Sequence, residues 1–206
     1  MSVTLYTGTP GSGKSYHVIS DVMYYLSMGK PVIANFPLNF SSIKNERKRE
    51  KYQSLFHYVT NNQITVEFLV DFSKEYFRDK KIKESQILLV IDEAQLMFNS
   101  REYAKPDRMK FVSFFSQHRK LGYEVILVAQ YDRMLDRQIR AVVEYEKLHR
   151  KLNNYRWFWI LPFTVFSVTT FWYGIRERTG QVDIIIYNPF RARLYNTFSL
   201  FEGVGG

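Results

Sequence analysis

Residues 8–15 read GTPGSGKS: Gly8, Thr9, Pro10, Gly11, Ser12, Gly13, Lys14 and Ser15. They lie between a short apolar run, Val3 to Thr7, and a helical pattern from Ser15 to Met28 with Val18, Ile19, Val22, Met23 and Leu26 on one face and Gly29 at its close. The spacing G-x-x-x-x-G-K-[ST] between a strand and a helix is that of a phosphate-binding loop. Its glycines let the backbone wrap an anion and point N–H groups inward, while the helix aims the positive end of its dipole at the same place. Lys14 is expected on the β- and γ-phosphates of ATP and Ser15 on Mg²⁺. The nucleotide-binding segment is expected to run from Gly8 through Tyr16.

A second signal supports the first. Ile87 to Ile91, ILLVI, is an uninterrupted aliphatic run that suits a parallel strand covered on both faces, and it ends at Asp92 and Glu93. Asp92 is expected to hold the metal through its water shell and Glu93 to act as general base on the attacking water. Pro106 to Leu121 reads as a helix with an apolar stripe at Val112 and Phe115, and Gly122 follows it. Val125 to Ala129 reads as another buried strand, ending at Gln130, whose amide is suited to sensing the γ-phosphate or orienting water. Pro31 to Phe36 adds a strand and Thr65 to Phe77 a helix capped by Thr65. Strands alternating with helices predict an α/β fold around a parallel central sheet.

Other stretches are less periodic. In Lys44 to Lys51, KNERKREK, the basic residues are diluted by Glu46 and Glu50, which favours a solvated loop over a track for phosphates. Residues 157–175, WFWILPFTVFSVTTFWYGI, carry no charge over a length that could span a bilayer. Their β-branched and aromatic content, hydroxyls and Pro162 favour two adjoining strands over a spanning helix. Gln181 to Tyr187 and Arg193 to Phe198 read as further strands, with a turn at Asn188 and Pro189. The expected organisation is a P-loop ATPase core over 1–150 and a β-rich C-terminal extension over 151–206 packed on it.

With 206 residues, 46% of them hydrophobic and 17% aromatic, the chain has enough apolar surface for one sizeable core. It contains no cysteine, which excludes disulfides, thiolate zinc sites and cysteine nucleophiles and suits the reducing cytoplasm. The start MSVTLYTGTPGSGKS lacks the basic flank and long apolar run of a signal peptide. The net charge of +9 suits contact with nucleic acid or an anionic membrane surface. His17, His57 and His149 have no partner at metal-ligand spacing and read as ordinary residues. His118 and Arg119 sit at a helix end, where cations complement the dipole.

GTPGSGKS, together with VIDEAQLMF at 90–98, SQHRKLGYEVILVAQ at 116–130, IRAVVE at 139–144 and ARLYNT at 192–197, resembles the Zot (zonula occludens toxin) family of filamentous-phage assembly ATPases. The resemblance implies a P-loop NTPase of the additional-strand type, in which the strand ending at Gln130 lies between those bearing the P-loop and Asp92. It implies an ATP-driven machine that extrudes phage single-stranded DNA from the cytoplasmic face of the host inner membrane as coat subunits are added. Implied partners are phage coat and assembly proteins, single-stranded DNA, and the membrane through a segment not clearly present here. Family members carry a span and an extracytoplasmic tail after the ATPase domain, whereas this sequence closes at LFEGVGG, as a truncated form or a member without that anchor would. A DNA-packaging or translocating ATPase is the neighbouring reading. A toxin-like host-interaction module is a third, which no residue here supports. Motor ATPases of this kind form rings and often complete each site with a neighbour's arginine. Arg140, in the IRAVVE stretch, is the first candidate, Arg119 the second, and Arg133 and Arg137 are further ones.

Overall fold

The computed structural model describes residues 2–100, 107–154, 163–175 and 177–195. The elements are β1 (Val3–Thr7), α1 (Lys14–Ser27), β2 (Val32–Ala34), α2 (Glu46–Leu55), β3 (Phe56–Tyr58), α3 (Val66–Tyr76), β4 (Ile87–Ile91), α4 (Asp107–Gln117), β5 (Tyr123–Val128), α5 (Arg137–Ala141), β6 (Tyr145–Lys151), β7 (Val165–Trp172), β8 (Arg178–Ile186) and α6 (Pro189–Ala192). The strands form one sheet in the order β3-β2-β4-β5-β1-β6-β7-β8. Neighbours are parallel from β3 through β6, and β7 and β8 are added antiparallel.

The sheet is buried on both faces. Ile87, Leu89 and Ile91 of β4 join Val3, Leu5, Leu69, Phe111 and Phe115 on one side. Leu88 and Val90 join Val18, Ile19, Val22 and Leu26 of α1 on the other. Successive strand residues point to opposite faces, so a strand covered on both sides can be aliphatic throughout. The apolar stripe of α4 is Phe111, Phe114 and Phe115, each at most 5% exposed, with Val112 at its margin. Thr65 caps α3, its side chain accepting from the Phe68 N–H at 3.1 Å.

Three sequence readings change. KNERKREK opens helix α2 rather than a loop: Asn45 caps it by accepting from Lys48 N–H at 2.9 Å, and Arg49 pairs with Glu46 at 3.3 Å. Tyr52 is its one buried residue, so no apolar period reveals it. Arg193 and Leu194 lie in a turn after α6, and Tyr195 forms only an isolated bridge with Leu38, so no strand begins at Arg193. The rest of that stretch lies outside the described residues. Of 157–175, the described part forms a single strand, β7, followed by a turn, and 157–162 lie outside the described residues. Among the described residues no helix is long and apolar enough to cross a membrane.

Phe115 is 1% exposed and its ring lies within 6 Å of those of Phe98, Phe111 and Phe114. Phe115→Ala is expected to lower stability by about 3–5 kcal/mol and Phe115→Leu by less than half as much, read from denaturant unfolding curves.

Candidate nucleotide site

β5 lies between β1 and β4, so three strand ends open on one edge: the loop after β1, Gln130 after β5, and Asp92 after β4. The Gly8 N–H donates to the Gln130 carbonyl at 3.2 Å, tying the loop to the central strand. The Ser12 N–H donates to the Thr9 carbonyl at 3.1 Å, and Thr9, Pro10 and Gly11 are exposed. Lys14 is folded back on its own loop, donating to the carbonyls of Gly8 at 2.5 Å and Thr9 at 3.2 Å. Burial lowers its pKa, against the pull of Glu93 and Asp92. Two glycines are dictated by their surroundings. A Cβ on Gly8 would lie 2.5 Å from the His149 carbonyl, and one on Gly13, at φ 95°, would lie 2.7 Å from the Phe166 ring. Tyr16 is buried, its hydroxyl donating to the Ile186 carbonyl at 3.2 Å and accepting from the Asn188 N–H at 3.0 Å. Its side chain is therefore tied to the end of β8.

The acidic end is held from several directions. Asn35, just after β2, clamps the Asp92 backbone: its Oδ1 accepts from the Asp92 N–H at 2.7 Å and its Nδ2 donates to the Asp92 carbonyl at 2.8 Å. The Asp92 carboxylate accepts from the Glu93 N–H at 2.9 Å through Oδ1 and from the Tyr195 hydroxyl at 2.7 Å through Oδ2. Burial raises the Asp92 pKa, and these hydrogen bonds oppose the rise. Ser15, at the start of α1, lies near the same phenol. The two residues expected to bind metal are thus brought together, and a hydroxyl with a carboxylate is a hard-oxygen donor set that fits Mg²⁺ with phosphate and water as the remaining ligands. Glu93 has φ 47° and ψ 48°, a left-handed conformation that costs a non-glycine residue about 1–3 kcal/mol. Its Oε2 accepts from the Gln95 side-chain amide. Asn35, Gln95 and Tyr195 escaped the sequence reading. Gln95 stands two residues from Glu93 and Tyr195 lies in the family-like ARLYNT stretch, whereas Asn35 carries no local signal.

His17 and His149 are not isolated. The Thr7 carbonyl accepts from His149 Nδ1 at 3.1 Å, which leaves His149 Nε2 to accept from His17 Nδ1 at 2.9 Å. Tyr6 stacks on His17 and donates to Asp21 at 2.6 Å. Burial pushes His17 down to about 4 and His149 down to about 3. This polar cluster ties β1, α1 and β6 together directly beneath the loop.

The arginines are placed elsewhere. Arg119 lies in a short 3-10 turn before β5 and pairs with Glu144 at 2.6 Å, beside the start of β1 and so at the opposite edge from Gly8. Arg140, in α5, lines a cleft with Arg137 and Tyr173 and has a buried Nε without a hydrogen-bond partner among the described residues. Arg133 is exposed and lines a cleft with Gln95, Asn99 and Tyr131. Neither Arg119 nor Arg140 is brought to the loop of its own subunit by these placements.

Comparison with known proteins adds three findings. A family model described as "Zonular occludens toxin (Zot)" matches residues 2–170. The "Gene 1 protein" of Enterobacteria phage fd is 25% identical over 173 residues, covering 82% of this chain and 47% of that protein. The chain spans less than half the length of the curated relatives it matches. Among solved structures, the N-terminal domain of zonular occludens toxin from Neisseria meningitidis superposes with a TM-score of 0.51 at 19% identity, covering 95% of this chain and 98% of that one. The DNA-packaging ATPase B204 from Sulfolobus turreted icosahedral virus gives 0.55 at 16% identity, covering 89% and 96%. Both likenesses concern the fold, a P-loop NTPase.

The histidine pair predicts a pH dependence. Both folded-state pKa values lie below the ordinary 6.5, so the fold favours neutral rings. Their contribution is complete above pH 6.5 and is lost as pH falls toward 4 and then 3. By pH 4.5 the loss is on the order of 2 kcal/mol per histidine. Asp21, whose pKa burial raises, acts in the opposite sense. Denaturant unfolding at pH 7 and pH 4.5 is expected to show a smaller difference for His149→Gln than for the unaltered protein.

Proposed function

Because the chain belongs to the zonular occludens toxin (Zot) family, we propose that it is the ATPase part of a filamentous-phage assembly machine, using Mg²⁺ and ATP to drive extrusion of phage single-stranded DNA at the host inner membrane. The observation that carries the reading is the convergence of Lys14, Ser15, Asp92, Glu93 and Gln130 on one sheet edge through the placement of β5. The chain is a P-loop ATPase.

The roles follow from position. The backbone N–H groups of Gly11 and Gly13 and the amino end of α1 receive the phosphates. Lys14, now satisfied by two loop carbonyls, exchanges them for β- and γ-phosphate oxygens. Ser15 and Asp92 hold the metal, which when bound neutralises charge on the phosphate oxygens. Glu93, its carboxylate steered by Gln95, takes the proton of the attacking water. Gln130, held by its carbonyl to the loop, presents its amide toward the γ-phosphate.

The wider setting belongs to the same proposal. It comprises an ATPase core over 1–150 with an extension over 151–206, a homo-oligomeric ring, coat and assembly proteins as partners, and work at the cytoplasmic face of the membrane. The net charge of +9 supports contact with single-stranded DNA, whose binding would then weaken steeply with salt. Arg119 is paired with Glu144 and Arg140 lines a cleft with Tyr173, both away from their own loop, so a catalytic role for either requires a neighbouring subunit.

Lys14→Ala is expected to weaken ATP binding and abolish turnover, whereas Glu93→Gln keeps nucleotide affinity and loses about 10²–10⁴-fold in turnover. Nucleotide titration and phosphate release separate the two, and normal turnover in Lys14→Ala overturns the site. Mixing Arg140→Ala with Lys14→Ala subunits is expected to restore ATPase activity at mixed boundaries, and no recovery at any ratio removes Arg140 as the finger.

A further inference from the structure

The ARLYNT stretch lies a hundred residues beyond the acidic strand, yet its tyrosine reaches the centre of the site. The Tyr195 hydroxyl donates to Asp92 Oδ2 at 2.7 Å and lies near Ser15. The phenol is firmly seated. Its ring packs edge-on against Phe36 at 5.3 Å, its backbone N–H donates to the Ala192 carbonyl at 3.2 Å, and it bridges to Leu38. Leu194 beside it is 1% exposed in the core beneath α1, and its carbonyl accepts from the Asn39 N–H at 2.9 Å. The chain leading there is fastened to α1, by Asn188 N–H to the Tyr16 hydroxyl at 3.0 Å and by Arg191 to Ser20 at 3.3 Å.

We propose that Tyr195 is a positioning residue for the divalent-cation site: its phenol holds the Asp92 carboxylate in register with Ser15, so that residues 188–195 complete a site otherwise built from β1, α1 and β4. The inference rests on the reading of Ser15 and Asp92 as metal ligands. Free rotation of Asp92 about its side-chain torsions is removed by two hydrogen bonds, the Glu93 N–H on one oxygen and Tyr195 on the other. The first comes from the local backbone and survives any change of side chain at 195. The second depends on Tyr195 and on everything that seats it.

Outer hydrogen bonds of this kind are worth about 10–100-fold in metal affinity. The test is titration of Mn²⁺ into the full chain saturated with a non-hydrolysable ATP analogue, together with the affinity for that analogue in EDTA. Tyr195→Phe keeps the ring against Phe36 and removes only the hydroxyl. It is expected to weaken Mn²⁺ by about tenfold or more while leaving metal-free analogue binding unchanged. Unchanged Mn²⁺ affinity overturns the proposal. Tighter Mn²⁺ overturns it too, because the phenol would then compete with the cation. Loss of metal-free binding assigns Tyr195 to the fold alone and overturns it as well. Ser15→Ala and Asp92→Asn are measured alongside: if they weaken Mn²⁺ and Tyr195→Phe does not, only the role of Tyr195 falls. If neither of them does, the metal-site reading falls first.

Discussion

The hydrogen-bonded insertion of β5 between β1 and β4 is the constraint on which the rest of the molecule depends. Adjacent strands lie about 4.8 Å apart, so one intervening strand puts the loop-bearing and acid-bearing strands about 10 Å from each other. In the proposed reading, a terminal phosphate and its water would lie between Lys14 and Glu93. Gln130 then stands between them, with its carbonyl accepting the Gly8 N–H. The aliphatic character of β4 and of Val125 to Val128 in β5 follows from the same arrangement, since these residues in the middle of a sheet covered on both faces are buried.

Support for the loop comes from the other side of β1. β6 pairs with β1 and places His149 so that its carbonyl faces Gly8 while its ring bonds His17 of α1. β7, antiparallel to β6, places Phe166 on Gly13 and beside Tyr16. A buried polar pair can hold this position because each ring nitrogen that needs a partner has one, and burial keeps both rings neutral. The sheet runs without a break through β6, β7 and β8, so the change near residue 150 is one of strand direction, from parallel to antiparallel.

The acidic end shows how the fold spends local strain. Glu93 adopts a left-handed backbone that favours glycine, and what maintains it is the clamp on Asp92 by Asn35, the bond from Glu93 N–H to Asp92, and the hold of Gln95 on the Glu93 carboxylate. The strain turns the second carboxylate away from the first. One acid is then buried against Asn35 and Tyr195, while the other remains half-buried beside the cleft. Adjacent residues thereby acquire different chemistry from their surroundings, which is the condition for one to hold a metal and the other to move a proton.

The sequence by itself determined the phosphate loop, the strand before it, the helix after it and the acidic strand, because each is a local pattern. Glycine spacing sets what the backbone can wrap, and an unbroken aliphatic run implies cover on both faces. The additional-strand order came from family resemblance and not from the residues, and the structure agrees with it. Helix α2 was illegible because its stability comes from a cap and charged neighbours rather than from an apolar stripe. Only the tertiary structure decided that Asn35 clamps Asp92 across 57 residues, that Tyr195 reaches it across 103, and that His17 pairs with His149 across 132. A side-chain hydrogen bond acts over about 3 Å of space and leaves no period in the chain, so its partners become visible only when strand order brings them together.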